Sequence, residues 1–224
     1  MKTTRLTALF LGLFAGLVFS AHAAELELRE VDVPHDAASL ERGADIVASV
    51  CMGCHSLKYV KYRDLLDAGI GKEKVDGWRG AQPLESPLIG QMNDDTARAS
   101  FGGIVPPDLS LIANARDGRE RYLFSYLTGY HKNDKGELTN TVFPVTRMPD
   151  IMGAADATDA QARAELDAKA RDVTAFLLWA ADPHAVEREH MGYYVLGYVA
   201  VMTLLLFLWK NQIWREIDKR PRIG

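Results

Sequence analysis

The chain has 224 residues, of which 48% are apolar and 25% charged, and its 26 basic and 30 acidic side chains give a net charge of −4. An acidic balance of this kind is not typical of nucleic-acid-binding proteins, so we expect no nucleic-acid partner. Two cysteines exclude a fold held together by several disulfides.

Residues 1–23 have the pattern of a secretory signal peptide. Lys2 and Arg5 give a charged start, an almost wholly apolar segment follows, and the sequence AHA at residues 21–23 is a small-residue cleavage site. An uncleaved N-terminal anchor fits less well, because the apolar stretch is short and ends in small residues. The pattern therefore predicts a bacterial envelope protein whose signal peptide is removed.

The segment before the two cysteines has a helical pattern. Ser39 is predicted as its N-cap. Ala44, Val47 and Val50 recur at three-residue spacing and form one apolar face that leads to Cys51.

The two cysteines stand in the sequence C-x-x-C-H, formed by Cys51, Cys54 and His55. Three interpretations are open: covalent attachment of haem, a redox dithiol, or half of a zinc site. Zinc is least favoured because no further cysteine provides a second pair of ligands. A dithiol usually follows a strand, whereas a helix is predicted here. Haem attachment explains why both thiols are kept in a secreted chain, where thiols oxidise.

The middle of the chain is predicted to consist largely of loops. Residues 71–90 and 100–116 are rich in glycine and proline, and Asp108 or Ser110 can cap a helix that follows the second loop. Long loops are unusual in a compact domain, but a large, flat, apolar cofactor around which they wrap would serve as the core.

Two further helices are predicted beyond the loops, and Pro183 is expected to end the second one. Each has four side chains on one face: Tyr122, Leu123, Tyr126 and Leu127 in the first, and Val173, Phe176, Leu177 and Ala180 in the second.

A six-coordinate haem needs a second ligand besides His55, and a neutral thioether gives a higher reduction potential than a second histidine. Met148 is favoured over Met152, because Pro149 stiffens the loop that carries it. The alternative to iron ligation is that either methionine simply fills space in the hydrophobic core. The other candidates are Met92, His35, His131, His184 and His190.

The C-terminal region is predicted to anchor the protein in a membrane. The segment from Met191 to Trp209 has no charge and is long enough to cross about 30 Å of hydrocarbon. Basic residues exceed acidic ones in the tail, which marks the cytoplasmic side. The expected organisation is a signal peptide at 1–23, a periplasmic haem domain at 24–188, a membrane helix at 189–210 and a cytoplasmic basic tail at 211–224.

Taken together, these segments resemble cytochrome c1, the haem subunit of the quinol-oxidising cytochrome bc1 complex. The resemblance covers nearly the whole mature chain and rests on the order of its motifs: VCMGCHSLKYVKYRDL, PPDLSLIANAR, YLFSYLTGY, the methionine-proline segment at Met148, FLLWAADP and the C-terminal anchor. One departure is the single proline after Met148, where the family often has two.

The resemblance implies a mainly α fold, a class I cytochrome c-like haem domain with long loops and one C-terminal transmembrane helix. It implies one covalent haem c on Cys51 and Cys54, with His55 and Met148 as axial ligands. It also implies further haem contacts, which involve Arg116 at a propionate, Tyr122 and Pro107.

The implied function is one-electron transfer from the Rieske iron–sulfur protein to a soluble or anchored periplasmic c-type cytochrome. The chain would be a redox subunit of the complex and no enzyme by itself, with its helix beside cytochrome b in the bacterial inner membrane. Two alternatives remain at this point. One is a membrane-anchored cytochrome c that donates to a terminal oxidase, and the other is a haem peroxidase or gas-binding protein with an open iron site.

Overall fold

The computed structural model describes residues 27–218, so the predicted signal peptide and the last six residues of the basic tail lie outside the described residues. The described part of the chain is mainly α-helical, which confirms the predicted fold class. Its helices are α1 (Ala37–Ser49), α2 (Tyr62–Asp67), α3 (Lys72–Arg79), α4 (Asp94–Ser100), α5 (Arg119–Thr128), α6 (Ala160–Ala181) and α7 (Ala185–Asp218).

Four short strands form two antiparallel pairs. Strand β1 (Leu57–Lys61) pairs with β2 (Pro87–Leu88), and β3 (Tyr130–Lys132) pairs with β4 (Leu138–Asn140). The strands add little sheet, but β1 lies directly after the C-x-x-C-H motif and β3 directly after α5. They therefore fix the chain on either side of the region where the predicted site residues meet.

Helix α1 forms before the cysteines as predicted, but its N-cap is Asp36, so the assignment of Ser39 is wrong. The Asp36 carboxylate accepts a hydrogen bond from the backbone N–H of Ser39 at 2.9 Å, and Ser39 itself is buried within the first turn. An aspartate satisfies a free N–H at a helix start at least as well as a serine does. Ala44 and Val47 are buried as the pattern predicted.

The prediction of a continuous loop over 71–90 is also wrong, because α3 lies within it. Gly71 and Gly80 are the N-cap and C-cap of this helix, so the glycines bound it and do not prevent it. Burial of Val75, which has no exposed surface, stabilises the short helix against the core. A helix of eight residues is too short to be stable alone, so tertiary packing decides this segment.

The loop predicted at 100–116 is observed, but its acidic residue does not cap a helix. The Asp108 carboxylate accepts hydrogen bonds from the backbone N–H groups of Ser110 and Lys58, at 2.9 and 3.0 Å. The next helix, α5, begins at Arg119 after Gly118, whose φ of 86° favours glycine. The capping prediction was therefore wrong, and the polar side chains of this loop bind β1 instead.

The helical faces predicted for α5 and α6 are confirmed. Leu123 and Leu127 of α5 are buried, and Tyr122 and Tyr126 are half-buried. The whole predicted apolar face of α6 is buried, and α6 begins thirteen residues before that face, at Ala160, where the carboxylate of Asp159 caps it.

Helices α1 and α6 cross in close contact at Gly43. A Cβ atom added to Gly43 would lie 2.0 Å from the backbone oxygen of Asp172, and 2.9 Å from Cβ of Phe176. Beside this contact, the Arg42 guanidinium donates to the Asp172 carboxylate at 2.7 Å. Only glycine lets the two backbones approach this closely, so the crossing depends on residue 43.

Helix α7 is long enough to span a membrane by length and composition. It has 34 residues, which corresponds to about 50 Å at 1.5 Å per residue, against about 30 Å of hydrocarbon. The candidate span runs from Glu187 to Ile217, and none of its most apolar stretch is buried within the described structure. The helix continues past residue 210, so the first part of the basic tail is helical.

Replacement of Gly43 with alanine is expected to destabilise the fold by about 1–3 kcal/mol, the usual cost of overpacking a tight contact. The free energy of unfolding of the full chain in detergent, measured with denaturant, checks this. Gly77→Ala is the matched control, since a Cβ atom at this helical glycine meets no atom within 4 Å. Alanine there is expected to be neutral or to stabilise α3 by up to about 1 kcal/mol. Equal stability of the two variants would contradict the role given to Gly43.

Candidate haem site

A large cavity of about 680 Å³ brings together residues from widely separated parts of the chain. Its volume is within the range of about 300–1,000 Å³ that is common for small-molecule and cofactor sites. Its apolar walls come mainly from the loop at 100–116, α5, α6 and the loop before Pro149. The lining residues include Val50, Phe101, Ile104, Pro106, Leu109, Ile112, Leu123, Leu127, Phe143, Val145, Ile151, Val173 and Leu177.

Cys51, Cys54 and His55 lie together in the wall of this cavity. A 3-10 turn at Cys51–Gly53 follows α1, and the N–H groups of Cys54 and His55 both donate to the backbone oxygen of Cys51, at 3.0 and 2.9 Å. The two thiols are free and are not joined in a disulfide. The turn thus presents both sulfurs and the imidazole to one apolar space.

The environment of Cys51 does not suit a redox dithiol. Burial raises the pKa of the Cys51 thiol to about 11. A reactive dithiol needs the opposite shift, because the thiolate is the nucleophile in thiol–disulfide exchange. The zinc alternative has no support either, since the described residues contain no group of three or more His, Cys, Asp and Glu side chains that could hold a metal ion.

The imidazole of His55 is oriented by the backbone of Pro107. Its Nδ1–H donates to the Pro107 carbonyl oxygen at 2.7 Å, because a carbonyl can only accept. The proton is therefore on Nδ1, and Nε2 keeps its lone pair. Burial lowers the pKa of His55, which favours the neutral form that binds metals. A hydrogen bond of this kind to the second ring nitrogen is the usual way in which proteins hold a histidine ligand.

Two further hydrogen bonds hold the Pro107 segment beside the histidine. The backbone N–H of Leu109 donates to the Ser56 oxygen at 2.8 Å, and the N–H of Tyr59 donates to the Ser110 hydroxyl at 3.0 Å. On the other side, Gly90 lies so close that an added Cβ atom would be 2.5 Å from the His55 backbone oxygen. The position of His55 is thus set by backbone contacts from two loops.

Met148 also lines the cavity, and Met152 is not among the lining residues. Met152 packs instead against both hydrophobic clusters of the protein, which fits the filling of core volume. The structure therefore brings Met148 together with the cysteine motif. It does not bring the other candidates into the cavity wall, namely Met92, His35, His131, His184 and His190.

Two arginines, Arg116 and Arg147, are the charged side chains of the cavity wall. The Arg116 guanidinium lies 5.7 Å from the centre of the Tyr122 ring, within the range of a cation–π contact. Arg147 lies beside Gly102, where an added Cβ atom would be 3.6 Å from its guanidinium nitrogen. Neither arginine forms an ion pair within the described residues, so both are free to meet the carboxylates of a ligand.

Sequence reasoning missed Arg147, and it also missed the hydroxyl of Thr146 beside it. The signal for both was their position directly before Met148. Tyr126 was predicted only as part of an apolar face, but its ring lines the cavity and its hydroxyl forms hydrogen bonds. These residues depend on the path of the loop, which no local pattern in the sequence predicts.

The fold and cavity define a mainly helical, cofactor-binding domain followed by a candidate membrane helix. Comparison with protein families adds the specific assignment: residues 29–86 and 77–217 match the Cytochrome C1 family. The chain belongs to this family, and the family predicted from its motifs is confirmed.

Individual relatives agree with this assignment. Cytochrome c1 of Allochromatium vinosum is 30% identical over 90% of this chain and 93% of its own length. A mitochondrial protein of Solanum tuberosum named cytochrome c1-2, heme protein, is 30% identical over 84% of this chain and 83% of its own. A Bradyrhizobium diazoefficiens protein named cytochrome b/c1 is 28% identical over 81% of this chain, which covers 34% of that longer protein.

Proposed function

We propose that this chain is the cytochrome c1 subunit of a bacterial bc1 complex and carries single electrons on one covalent haem c. The observation that carries the proposal is the cavity in which the C-x-x-C-H motif and Met148 meet, in a chain of the Cytochrome C1 family. The donor would be the Rieske iron–sulfur protein and the acceptor a periplasmic c-type cytochrome.

The residues of the cavity fit haem c in number and chemistry. Cys51 and Cys54 would hold the two vinyl groups as thioethers, and His55 Nε2 and the Met148 sulfur would ligate the iron. When bound, the haem supplies a one-electron couple between ferric and ferrous iron. The apolar lining excludes water and so disfavours the more highly charged ferric form, and a neutral thioether has the same effect.

The remaining task of the chain is to place this site between its partners. The relative named cytochrome b/c1 supports assembly with cytochrome b, since its name joins the two cytochromes. We infer that α7 lies in the inner membrane beside cytochrome b. Because basic residues mark the cytoplasmic side, the haem domain at 24–188 would face the periplasm. The domain boundaries 1–23, 189–210 and 211–224 remain part of this proposal.

Met148→Leu is expected to remove the sixth ligand while keeping the side-chain volume. The variant should lose the sulfur-to-iron charge-transfer absorption, and its reduction potential should fall by roughly 0.1 V or more, since axial ligands set haem potentials over about 0.8 V. Quinol oxidation by the complex should then stall between the Rieske protein and this subunit, which stopped-flow spectroscopy can follow.

Met152→Leu is the matched control and should leave the spectrum and the reduction potential unchanged. In both variants the haem should stay on the polypeptide after extraction with acidic acetone, since Cys51 and Cys54 hold it covalently. An exchange of the two behaviours would assign the ligand to Met152. Haem released by the extraction would overturn covalent attachment, and absence of cytochrome b from the purified complex would favour a cytochrome that serves an oxidase.

Arg116→Gln is expected to lower the reduction potential, because the loss of a cation near a propionate favours ferric iron. A lost interaction of about 1 kcal/mol corresponds to about 40 mV for one electron. Potentiometric titration of the full chain measures this shift. Arg171→Gln is the control, since Arg171 is exposed and is not among the lining residues. Equal potentials in the two variants would show that Arg116 is a surface arginine.

A chain that ends at Glu187 is expected to be released as a soluble periplasmic haem protein, because it lacks the candidate span. Fractionation of cells into membrane and periplasm measures this. A chain that ends at Asp218 keeps the whole of α7 and should stay in the membrane. Tight membrane association of the shorter chain, after removal of its signal peptide, would overturn the anchor.

A further inference from the structure

The backbone of Met148 is held on both sides by hydroxyl groups. Its N–H donates to the Thr146 hydroxyl at 3.2 Å, and its carbonyl oxygen accepts from the Tyr130 hydroxyl at 3.0 Å. Between these two hydroxyls lies a third, that of Tyr126, at 2.5 Å from Thr146 Oγ1 and 3.2 Å from the Tyr130 oxygen. Four hydrogen bonds therefore connect the N–H of Met148 to its own carbonyl.

The direction of these bonds follows from what each group can donate. A peptide N–H can only donate and a carbonyl can only accept, while each hydroxyl has a single hydrogen. The Tyr130 hydrogen must go to the Met148 carbonyl, so Tyr126 donates to Tyr130. Thr146 then donates to Tyr126, and its oxygen accepts from the N–H of Met148. All four bonds run in one direction around a closed ring, and each of the three hydroxyls both donates and accepts, which strengthens such chains.

The aromatic rings of the two tyrosines are themselves fixed. Tyr126 stacks on Tyr122 at 6.1 Å between ring centres and meets the edge of Tyr130 at 5.8 Å. Tyr130 is 3% exposed, and the fully buried Asn140 donates to the Tyr126 carbonyl oxygen at 2.8 Å. The two tyrosine hydroxyls are therefore built on α5 and β3, whereas Thr146 and Met148 lie on the same loop.

We propose that Thr146, Tyr126 and Tyr130 are positioning residues that hold Met148 at the iron through this closed hydrogen-bond ring. The proposal rests on the proposed function, since it takes Met148 as the sixth ligand. A loop held only by its own contacts would let the sulfur leave readily. The ring opposes departure because any movement of the Met148 backbone breaks at least one bond, and the break weakens the other three.

The test is displacement of the sixth ligand by imidazole in the full ferric chain. Loss of the charge-transfer absorption measures this displacement. Tyr126→Phe, Tyr130→Phe and Thr146→Val each remove one hydroxyl with little change of shape. Each is expected to raise the apparent affinity for imidazole about fivefold, the effect of one hydrogen bond of ordinary net strength. Tyr62→Phe is the matched control, because Tyr62 is buried in the main core and does not line the cavity. It should bind imidazole like the parent chain.

A double variant tests closure of the ring. In the ring, Thr146 and Tyr130 are connected through Tyr126, so bonds that act independently predict that the two effects multiply to about 25-fold. If the bonds form one cooperative ring, the first substitution already breaks it. The increase in imidazole affinity of the double variant is then expected to stay near fivefold. Full covalent haem content and an unchanged helical circular dichroism spectrum show that each variant is folded. If a tyrosine variant folds poorly, Thr146→Val still tests the ring, because Thr146 is only half-buried and valine has nearly the same shape.

Two outcomes overturn the ring: single variants that bind imidazole like the parent chain, or effects that multiply in the double variant. The Met148→Leu variant separates this result from the proposed function. Loss of the charge-transfer absorption in Met148→Leu, with parental behaviour in the three hydroxyl variants, overturns the ring alone. Retention of that absorption in Met148→Leu removes the ligand assignment and the ring together.

Discussion

The close crossing of α1 and α6 is the contact on which the cavity depends. Gly43 allows the backbone of α1 to lie against the Asp172 carbonyl, and the Arg42–Asp172 ion pair lies beside the contact. Helix α1 leads directly into the turn that carries the two thiols, and α6 contributes Val173 and Leu177 to the same cavity. One contact between helices that are far apart in sequence therefore sets the distance between two walls of the site.

Many apolar side chains of the loops between these helices line the cavity. Their apolar side chains, such as Phe101, Ile104 and Leu109, face a space of about 680 Å³. A haem in this space would bury them and so stabilise the fold as well as supply its chemistry. This explains how a domain with so much irregular chain can be compact, and why its function and its stability rest on the same side chains.

The two proposed axial ligands are held by different means. His55 receives one strong restraint, the bond from its Nδ1–H to the Pro107 carbonyl, and Pro107 lies in a loop that is bonded to β1. Met148 cannot be held through its side chain, because a thioether is only a weak acceptor. Its restraint acts through the peptide groups, by way of Thr146, Tyr126 and Tyr130. An imidazole can donate a hydrogen bond and is fixed through its own N–H, whereas a thioether has no such donor and is fixed through its backbone.

The sequence by itself determined the properties that depend on short spacing. The order C-x-x-C-H places two thiols and an imidazole within one turn of chain, and the periodicity of α5 and α6 predicts helices whose buried faces were observed. The length of the uncharged C-terminal segment predicts the helix α7. Local spacing also favoured Met148, since Pro149 restricts its loop. Tertiary structure decided the rest. Asp36 and not Ser39 caps α1, and α3 forms between two glycines because Val75 is buried against the core. The structure brings Arg116, Arg147 and Pro107 to the cysteine motif, and Tyr126 to Thr146. These residues are not related by a helical or strand periodicity in the sequence. Such contacts follow only from the path of the loops, and that path is set by packing of the whole domain.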